Sequence, residues 1–249
     1  MKVLGIIPAR YKSSRFPGKP LAMIHHKPMI IWVCEIVEKA LGLENTFVAT
    51  DDQRIKEVVE SYGYKVVMTS ENCLTGTDRL WDVAQQIEAD IYVNIQGDEP
   101  MLDPNEIIKI IETKKQHPEY IINGMTKITE NEDPMNINLP KVLTNKNNDL
   151  IYMSRLAIPG IKSGGKPTYY KQVCIYAFTY EELKAYGSCA KKAYYENFED
   201  IEILRFFDLD KKIKMVETNA SSLAVDVPED IEVVEDAINN HISFNSSMS

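Results

Sequence analysis

The chain has 249 residues, of which 44% are hydrophobic and 26% are charged. This length and composition allow one large buried core and are ordinary for an α/β domain rather than for a disordered chain. The formal net charge of −9 argues against a general binder of nucleic acid or anionic membranes, because such proteins need basic surfaces.

The cysteines and the apolar segments indicate a reducing compartment. Cys34, Cys73, Cys174 and Cys189 are far apart and form no CxxC pair, which favours reduced thiols over a disulfide framework or a zinc site. The first apolar run is short and ends at Pro8, so a buried strand fits it better than a signal peptide. No stretch approaches the ~20 apolar residues of a spanning helix. We therefore expect a cytoplasmic protein without membrane insertion.

Short apolar runs alternate with helical patterns in the first half of the chain. They predict strands at residues 3–7, 46–49, 65–68 and 91–95, and helices at residues 28–41, 54–62, 77–87 and 105–115. This alternation predicts an α/β fold with a mostly parallel sheet and helices on both faces. Ligands of such sheets bind beyond the carboxyl ends of the strands, which here are followed by residues 8–10, 50–52 and 96–98.

The second half is less regular. Its patterns predict strands at residues 120–126, 141–143, 149–154, 171–178 and 213–217, a loop at 162–167, and helices at 180–186, 198–207 and 228–239. No internal repeat or linker is evident. We therefore expect a single domain over residues 1–244 with a less regular second lobe, followed by a flexible tail at residues 245–249.

A basic loop after the first strand carries the strongest functional signal. It places Arg10, Lys12, Arg15 and Lys19 within ten residues and also contains Gly, Pro and Ser. Backbone N–H groups and fixed cations together can bind a polyphosphate. The loop matches neither the P-loop pattern nor the GxGxxG pattern. A solvated basic loop is the alternative, but the position at the end of a strand favours phosphate binding.

Two acidic segments are candidates for metal binding. Asp98 follows the strand at residues 91–95, and Mg²⁺ usually takes one or two carboxylates besides water and phosphate oxygens. The alternative is a turn in which Asp98 caps the next helix. Asp226 precedes a helix that is predicted to begin at Pro228. For Asp226, helix capping is the more common explanation, and a second carboxylate on the metal is the functional one.

The run Thr75-Gly76-Thr77-Asp78-Arg79 begins a predicted helix. Thr75 and Thr77 are both suited to cap it. Its free N–H groups are suited to an anion or a base edge. Arg79 either contacts phosphate or forms a surface ion pair.

Taken together, these segments resemble the 3-deoxy-manno-octulosonate (Kdo) cytidylyltransferase family. The resemblance rests on the runs IIPARYKSSRFPGKPL, VATDD, TGTDRL, VNIQGDEP, YMSRLAIP and VDVPEDIE, which occur in the family's order and at similar spacing. It extends from Lys2 to about Val234, and the downstream segments favour the Kdo branch over the sialic-acid branch.

The resemblance implies a Rossmann-like nucleotidyltransferase fold and a homodimer formed through the second half. The implied enzyme joins CTP to a sugar acid and releases pyrophosphate, for the synthesis of cell-surface polysaccharide or lipopolysaccharide. The residues implied to bind CTP are Pro8, Ala9, Arg10, Ser14, Arg15, Lys19, Thr75, Arg79 and Gln96. Asp98 and Asp226 are implied to hold Mg²⁺, against the capping preference for Asp226, and Lys19 and Arg15 complete the catalytic set.

The implied sugar pocket contains Arg155, Gln172, Tyr176, Glu202 and Arg205, with Arg155 as the candidate partner of the sugar carboxylate. Four positions depart from the family. Gln172 replaces a common His and Ile203 replaces a Gln, while Cys73 and Thr75 replace His and Ser. A site that hydrogen-bonds hydroxyl groups discriminates strongly against analogues that leave its polar groups unpaired. Kdo is therefore the first candidate substrate. The alternatives are an amino-Kdo or nonulosonic acid, or a non-catalytic nucleotide-binding protein.

Overall fold

The computed structural model describes residues 1–13, 16–219 and 223–246. The strands in these ranges are β1 (Val3–Ala9), β2 (Met23–Ile24), β3 (Lys27–Pro28), β4 (Thr46–Thr50), β5 (Lys65–Met68), β6 (Ile91–Ile95), β7 (Ile121–Lys127), β8 (Lys141–Thr144), β9 (Leu150–Ser154), β10 (Tyr170–Phe178) and β11 (Ile213–Glu217). The α-helices are α1 (Met29–Leu41), α2 (Gln53–Ser61), α3 (Gly76–Ala84), α4 (Pro104–Gln116), α5 (Tyr180–Gly187), α6 (Tyr194–Glu199), α7 (Arg205–Asp208) and α8 (Asp230–Ser246). Short 3-10 helices lie at Lys19–Leu21, Leu43–Asn45 and Glu202–Leu204.

The main sheet is mixed, with the strand order β11-β7-β10-β6-β1-β4-β5. The run from β6 to β5 is parallel, and so is the β11–β7 pair. Only β10 on this path is antiparallel to both its neighbours, and β8 and β9 extend from it. This arrangement confirms the predicted α/β fold with a mostly parallel mixed sheet.

The two faces of the sheet bury different side chains of the same strands. In β1, Leu4 and Ile6 belong to the core under α3 and α5, whereas Ile7 belongs to the core under α1, α2 and α4. Side chains of a strand alternate between its faces, so a strand with helices on both sides needs apolar residues at nearly every position. This is why β1, β4 and β6 read as continuous apolar runs.

The predicted helix at residues 198–207 is wrong as a single element. The chain instead forms α6, the 3-10 helix Glu202–Leu204 and α7. Asp200 separates the first two with a φ of 49°, in the left-handed region, where a right-handed helix cannot continue. The break turns Glu202 and Arg205 onto separate short elements.

The last helix also differs from its prediction. It begins at Asp230 rather than at Pro228 and ends at Ser246 rather than at residue 239. Residues 245 and 246 of the predicted tail are therefore helical, and residues 247–249 lie outside the described ranges. In the part of the chain that the structure describes, no helix is long and apolar enough to cross a membrane.

Gly5 sets how closely α1 approaches β1. A Cβ atom at this position would overlap Val37 Cγ1 and would lie 2.8 Å from Leu41 Cδ1. Both neighbours belong to α1, which packs next to the strand that leads into the basic loop. Only glycine fits without moving the helix.

We expect Gly5→Ala to lower the free energy of unfolding by about 1–3 kcal/mol, the usual cost of overpacking a core. Urea denaturation followed by circular dichroism measures the change. Gly160→Ala is the matched control, since no heavy atom lies within 4 Å of its added Cβ. Equal stability of the two variants would contradict the close packing of α1 on β1.

Candidate active site

Three segments that are distant in sequence meet around a cavity of about 240 Å³. The carboxyl ends of β1 and β6 form two sides, and the N-terminus of α3 forms a third. The described residues predicted for nucleotide and metal all line this cavity: Pro8, Ala9, Arg10, Lys19, Thr75, Arg79, Gln96, Asp98 and Asp226. Ser14 and Arg15 were predicted for the same site and lie outside the described residues.

The basic loop is folded back so that Lys19 points into the cavity. Gly18 has a φ of 73°, and its N–H donates to Tyr11 O at 2.9 Å. A Cβ at Gly18 would lie 3.1 Å from the Tyr11 ring, so this turn needs a glycine for both conformation and space. The opposite face of Tyr11 is covered by the Arg54 guanidinium, 3.3 Å from the ring centroid. These contacts fix the end of the loop against α2.

Lys19, Asp98 and Asp226 form one charged cluster. Lys19 Nζ lies 2.5 Å from Asp98 Oδ2 and 3.9 Å from Asp226 Oδ1. The same ammonium donates to Val225 O at 3.0 Å, and Val225 N donates to Asp98 O at 2.9 Å. The segment before α8 is thereby held against the end of β6, which places the two carboxylates on one cation.

Asp98 does not cap α4, the role that local sequence offered as its alternative. Asp103 caps α4, since its side chain accepts the Asn105 N–H at 2.9 Å. Asp226 lines the cavity, while Asp230, the first residue of α8, accepts the N–H groups of Asp226 and Val227 with its Oδ2. The structure therefore leaves Asp98 and Asp226 facing the cavity, beside Lys19.

The donor atoms of this cluster suit Mg²⁺. Asp98, Asp226 and Val225 O offer hard oxygen ligands, and Mg²⁺ binds through one or two carboxylates while it keeps water and phosphate oxygens. Within the described ranges, no group of three or more His, Cys, Asp or Glu side chains gathers into a complete metal cage. The Lys19 ammonium shows that this position stabilises positive charge.

The N-terminus of α3 is closed by a capping box, as predicted for Thr75. Its Oγ1 accepts the Asp78 N–H, and Asp78 accepts the Thr75 N–H at 2.9 Å. Arg79 is not the surface ion pair of the alternative hypothesis, because the residue is 4% exposed. It donates to Thr69 Oγ1 at 2.6 Å and lies 3.3 Å from Asp51 Oδ1. Arg79 thus joins the ends of β4 and β5 to the cavity floor.

A second cavity of about 770 Å³ adjoins the first. The two share Arg10, Leu74, Thr75, Gln96, Asp98 and Asp226. Four of the five predicted sugar-binding residues line the second cavity: Arg155, Gln172, Tyr176 and Glu202. The charged cluster therefore stands at the junction of a smaller and a larger cavity.

Arg155 spends much of its hydrogen-bonding capacity on the backbone. Its Nη1 donates to Ile137 O at 2.9 Å and its Nη2 to Asp200 O at 3.0 Å, while its Nε donates to Glu199 O. Three of its five N–H groups are used in this way, which leaves two for a ligand. The residue both shapes the wall of the second cavity and keeps a positive charge there.

Arg205 is the predicted sugar-binding residue that does not reach the cavity. It is 1% exposed, and its guanidinium donates twice to Glu196, at 2.7 Å each, and once to Asp78 at 2.8 Å. It also stacks on Tyr186, 3.8 Å from the ring centroid. We therefore correct its placement. Arg205 lies behind the cavity and holds the capping carboxylate of α3, with Glu196 as a partner that sequence reasoning missed.

Glu202 contacts the same helix end from the cavity side. Its Oε2 accepts the Thr77 N–H at 3.1 Å, and burial raises the pKa of this carboxyl above its usual value. Ile203, the next residue, is 1% exposed and packs in the core. The change from Gln to Ile therefore alters packing behind Glu202 and adds no side chain to the wall. Cys73, another position that departs from the family, lines the first cavity and not the second.

Gln172 is held by a residue that the sequence did not single out. Gln172 Nε2 donates to Asn123 Oδ1 at 3.0 Å and to Tyr176 Oη at 3.1 Å. Asn123 is fully buried, and its Nδ2 donates to Val173 O and Ile175 O at 2.9 and 3.0 Å. These carbonyls lie at an irregularity in the β7–β10 pairing, which provides two acceptors at one point.

Comparisons with known proteins agree with this geometry. The sequence profile of the family described as "Cytidylyltransferase" matches residues 4–213. The 8-amino-3,8-dideoxy-manno-octulosonate cytidylyltransferase of Shewanella baltica strain OS185 is 41% identical, over 94% of this chain and 98% of its own. Its counterpart in Shewanella oneidensis is 40% identical over the same shares.

A solved structure resembles the whole fold. The CMP:2-keto-3-deoxy-manno-octonic acid synthetase in complex with CTP superposes with a TM-score of 0.90 at 35% identity, covering 97% of this chain and 100% of its own. A cytidylyltransferase from Leptospira borgpetersenii shares the fold with a TM-score of 0.65 at 19% identity, over 96% of this chain and 87% of its own. The profile match and these relatives show that the chain belongs to the cytidylyltransferase family and is a CTP-dependent nucleotidyltransferase.

Proposed function

We propose that the chain transfers CMP from CTP to a 2-keto-3-deoxy sugar acid of the Kdo type and releases pyrophosphate. The observation that carries this proposal is the charged cluster of Lys19, Asp98 and Asp226 at the junction of two cavities. The smaller cavity has the basic loop and the N-terminus of α3 for a triphosphate, and the larger has room and polar groups for a sugar acid. The product would serve cell-surface polysaccharide or lipopolysaccharide synthesis in the cytoplasm.

The chain's own residues would act mainly through position and charge. The anomeric hydroxyl of the sugar would attack the α-phosphorus in line with the departing pyrophosphate, a reaction in which alignment and charge stabilisation dominate. Arg10 lines both cavities and has no hydrogen bond or ion pair with any described residue, so its guanidinium is available to phosphate. Lys19 would neutralise charge at the α-phosphate, while Arg15 is proposed for the same phosphates by family resemblance.

Asp98 and Asp226 are the residues proposed to hold Mg²⁺. When bound, the metal would neutralise phosphate charge and favour the deprotonated form of the attacking hydroxyl. A separate protein base is then not needed. The two carboxylates would supply the negative charge that attracts the metal.

Two sugar acids deserve separate testing, Kdo and its 8-amino analogue. Both bonds of the Asn123 amide nitrogen go to backbone carbonyls, so its oxygen faces Gln172 and takes one N–H from it. The structure shows no hydrogen bond from a described residue to Gln172 Oε1, and we infer that this oxygen is available to a ligand of the second cavity, which Gln172 lines. An amide oxygen accepts from a hydroxyl or an ammonium group, whereas a protonated histidine there would repel an ammonium.

We expect the purified protein to release pyrophosphate from CTP in the presence of Kdo or 8-amino-Kdo. We further expect Gln172→His to shift the ratio of kcat/KM values toward Kdo by about 10-fold, because a protonated imidazole would repel the ammonium group of 8-amino-Kdo. Gln53→His, on the exposed side of α2, is the control. Failure to turn over either sugar acid would refute the proposed function, and an unchanged ratio would refute the role of Gln172.

We expect Asp98→Asn to retain CTP binding in part and to lower kcat by about 100-fold or more. The reason is that the substitution removes one of the two carboxylates proposed to hold Mg²⁺ beside the reacting phosphate. CTP binding by calorimetry and turnover by pyrophosphate release measure the two effects separately. Asp103→Asn is the control, since asparagine caps a helix as well as aspartate does. Near-normal turnover of folded Asp98→Asn at saturating Mg²⁺ would exclude the metal assignment.

We also propose a homodimer formed through the second half. Apolar side chains of α6 and of the segment around β9 are exposed there, among them Ile151, Leu156, Tyr194, Tyr195 and Phe198. Tyr195 packs edge-on against Tyr152, and Phe198 packs against Tyr194. Contiguous exposed apolar surface of this kind is typical of protein interfaces, and the family resemblance points to a second copy of the chain as the partner.

Phe198→Asp should convert the dimer to a monomer, because a charge would then be buried without a partner at the interface. Phe198 is the most exposed aromatic residue of the patch at 71%. Sedimentation velocity measures the mass of the wild type and the variant. Val233→Asp, at an exposed position of α8, controls for the added charge. A monomeric wild type, or a dimeric Phe198→Asp, would exclude this interface.

A further inference from the structure

The Lys19 ammonium contacts oxygen atoms of the residues that are proposed to hold a metal ion. Its three oxygen neighbours are Asp98 Oδ2, Val225 O and Asp226 Oδ1, at 2.5, 3.0 and 3.9 Å. These are the atoms that offer hard oxygen ligands to Mg²⁺. A lysine side chain of the same chain therefore already satisfies the proposed metal site.

A metal ion and this ammonium cannot share the same Asp98 oxygen. Mg²⁺ binds carboxylate oxygens at about 2.0–2.1 Å, whereas Lys19 Nζ already lies 2.5 Å from Asp98 Oδ2. Two cations on one carboxylate oxygen would repel each other strongly, since the lysine side chain is only 18% exposed and poorly screened by solvent. Binding of a metal to Asp98 Oδ2 therefore requires Lys19 to leave that oxygen.

A triphosphate supplies the partner that lets Lys19 leave. Lysine carries a compact charge on a flexible four-carbon stem, and Lys19 lines the same cavity as Arg10 and Thr75. Phosphate oxygens in that cavity would compete with Asp98 for the ammonium. The phosphates can first be attracted by Arg10, which lines the same cavity and forms no hydrogen bond or close ion pair with a described residue.

We propose that Lys19 keeps the Asp98–Asp226 pair closed to divalent metal until the triphosphate draws its ammonium away. Metal and nucleotide then bind with positive coupling that passes partly through this lysine, in addition to direct contact of the metal with phosphate. The free protein is thereby protected from binding a metal that has no substrate to act on. This inference rests on the proposed CTP and metal site, but not on the identity of the sugar acid.

The test measures Mn²⁺ binding to the whole protein without nucleotide or sugar, by electron paramagnetic resonance of the free ion. We expect Lys19→Met to bind Mn²⁺ at least about 10-fold more tightly than the wild type, within the usual range of coupling between sites. Lys214→Met is the matched control, because Lys214 forms an ion pair of similar exposure with Asp149, at 2.7 Å and away from both cavities. It should leave Mn²⁺ affinity unchanged.

A second pair of measurements locates the effect. Adding Asp98→Asn to Lys19→Met should abolish the gain in affinity, and the factor by which CTP tightens Mn²⁺ binding should be smaller in Lys19→Met than in the wild type. If thermal unfolding shows that Lys19→Met is not folded, Lys19→Gln takes its place in these measurements. Equal or weaker Mn²⁺ binding by folded Lys19 variants, or a gain that persists without Asp98, would overturn the proposal.

The outcome separates this inference from the proposed function. Tighter Mn²⁺ binding by Lys19→Met together with absence of CMP-sugar formation by the wild type would refute the function and leave the lysine switch intact. Normal CMP-sugar formation by the wild type, with no change in Mn²⁺ affinity in Lys19→Met, would refute the lysine switch and leave the proposed function intact.

Discussion

Two carboxylates that share one cation hold the catalytic end of this molecule together. Asp98 and Asp226 both lie within 4 Å of Lys19 Nζ, although they come from the end of β6 and from the segment before α8. Like charges brought this close are unfavourable unless a positive charge lies between them. The ammonium therefore links the basic loop, the central sheet and the C-terminal segment. Any cation that replaces it must satisfy the same oxygens.

A second charged group performs the corresponding task on the other side of the cavities. Arg205 is almost completely buried, and it is stable there because Glu196 accepts two of its hydrogen bonds and Asp78 accepts a third. A buried charge without partners would be strongly destabilising. Because Asp78 also closes the capping box of Thr75, this cluster positions the N-terminus of α3. Glu202 binds the same helix end from the cavity, so the nucleotide side and the sugar side share one support.

The sequence allows the first half of the fold to be predicted because its signals are local. Each of these signals lies within a short stretch of sequence: continuous apolar strands, helical periodicity and polar capping residues. Asp52 caps α2 and Thr75 caps α3, at the positions where such residues are expected. The positions of the basic loop, Asp98 and Asp226 follow from strand ends and family resemblance. The prediction of one helix at residues 198–207 was wrong. The left-handed turn at Asp200 that interrupts it depends on tertiary contacts rather than on helix propensity.

The remaining site residues could not be found from local patterns, because their roles depend on contacts between distant segments. Glu196 becomes important only when α6 packs beside Arg205, and Asn123 only when β7 meets the irregular part of β10. Asp226 shows the same limit: a polar residue before a helix is usually its cap, and only the tertiary structure shows that Asp226 Oδ1 lies 3.9 Å from Lys19 Nζ.

The two substitutions that first suggested an altered sugar site differ in physical consequence. Ile203 lies in the core and can act only by displacing Glu202 or Arg205, its neighbours in the chain. Gln172 lines the cavity itself, and the amide of Asn123 determines which of its two polar atoms faces a ligand. A hydrogen bond between a ligand and a side chain of the cavity wall discriminates between similar ligands more strongly than a change of side-chain volume behind that wall does. We therefore propose that the choice between a hydroxyl and an amino sugar acid depends more on the Asn123–Gln172 pair than on Ile203.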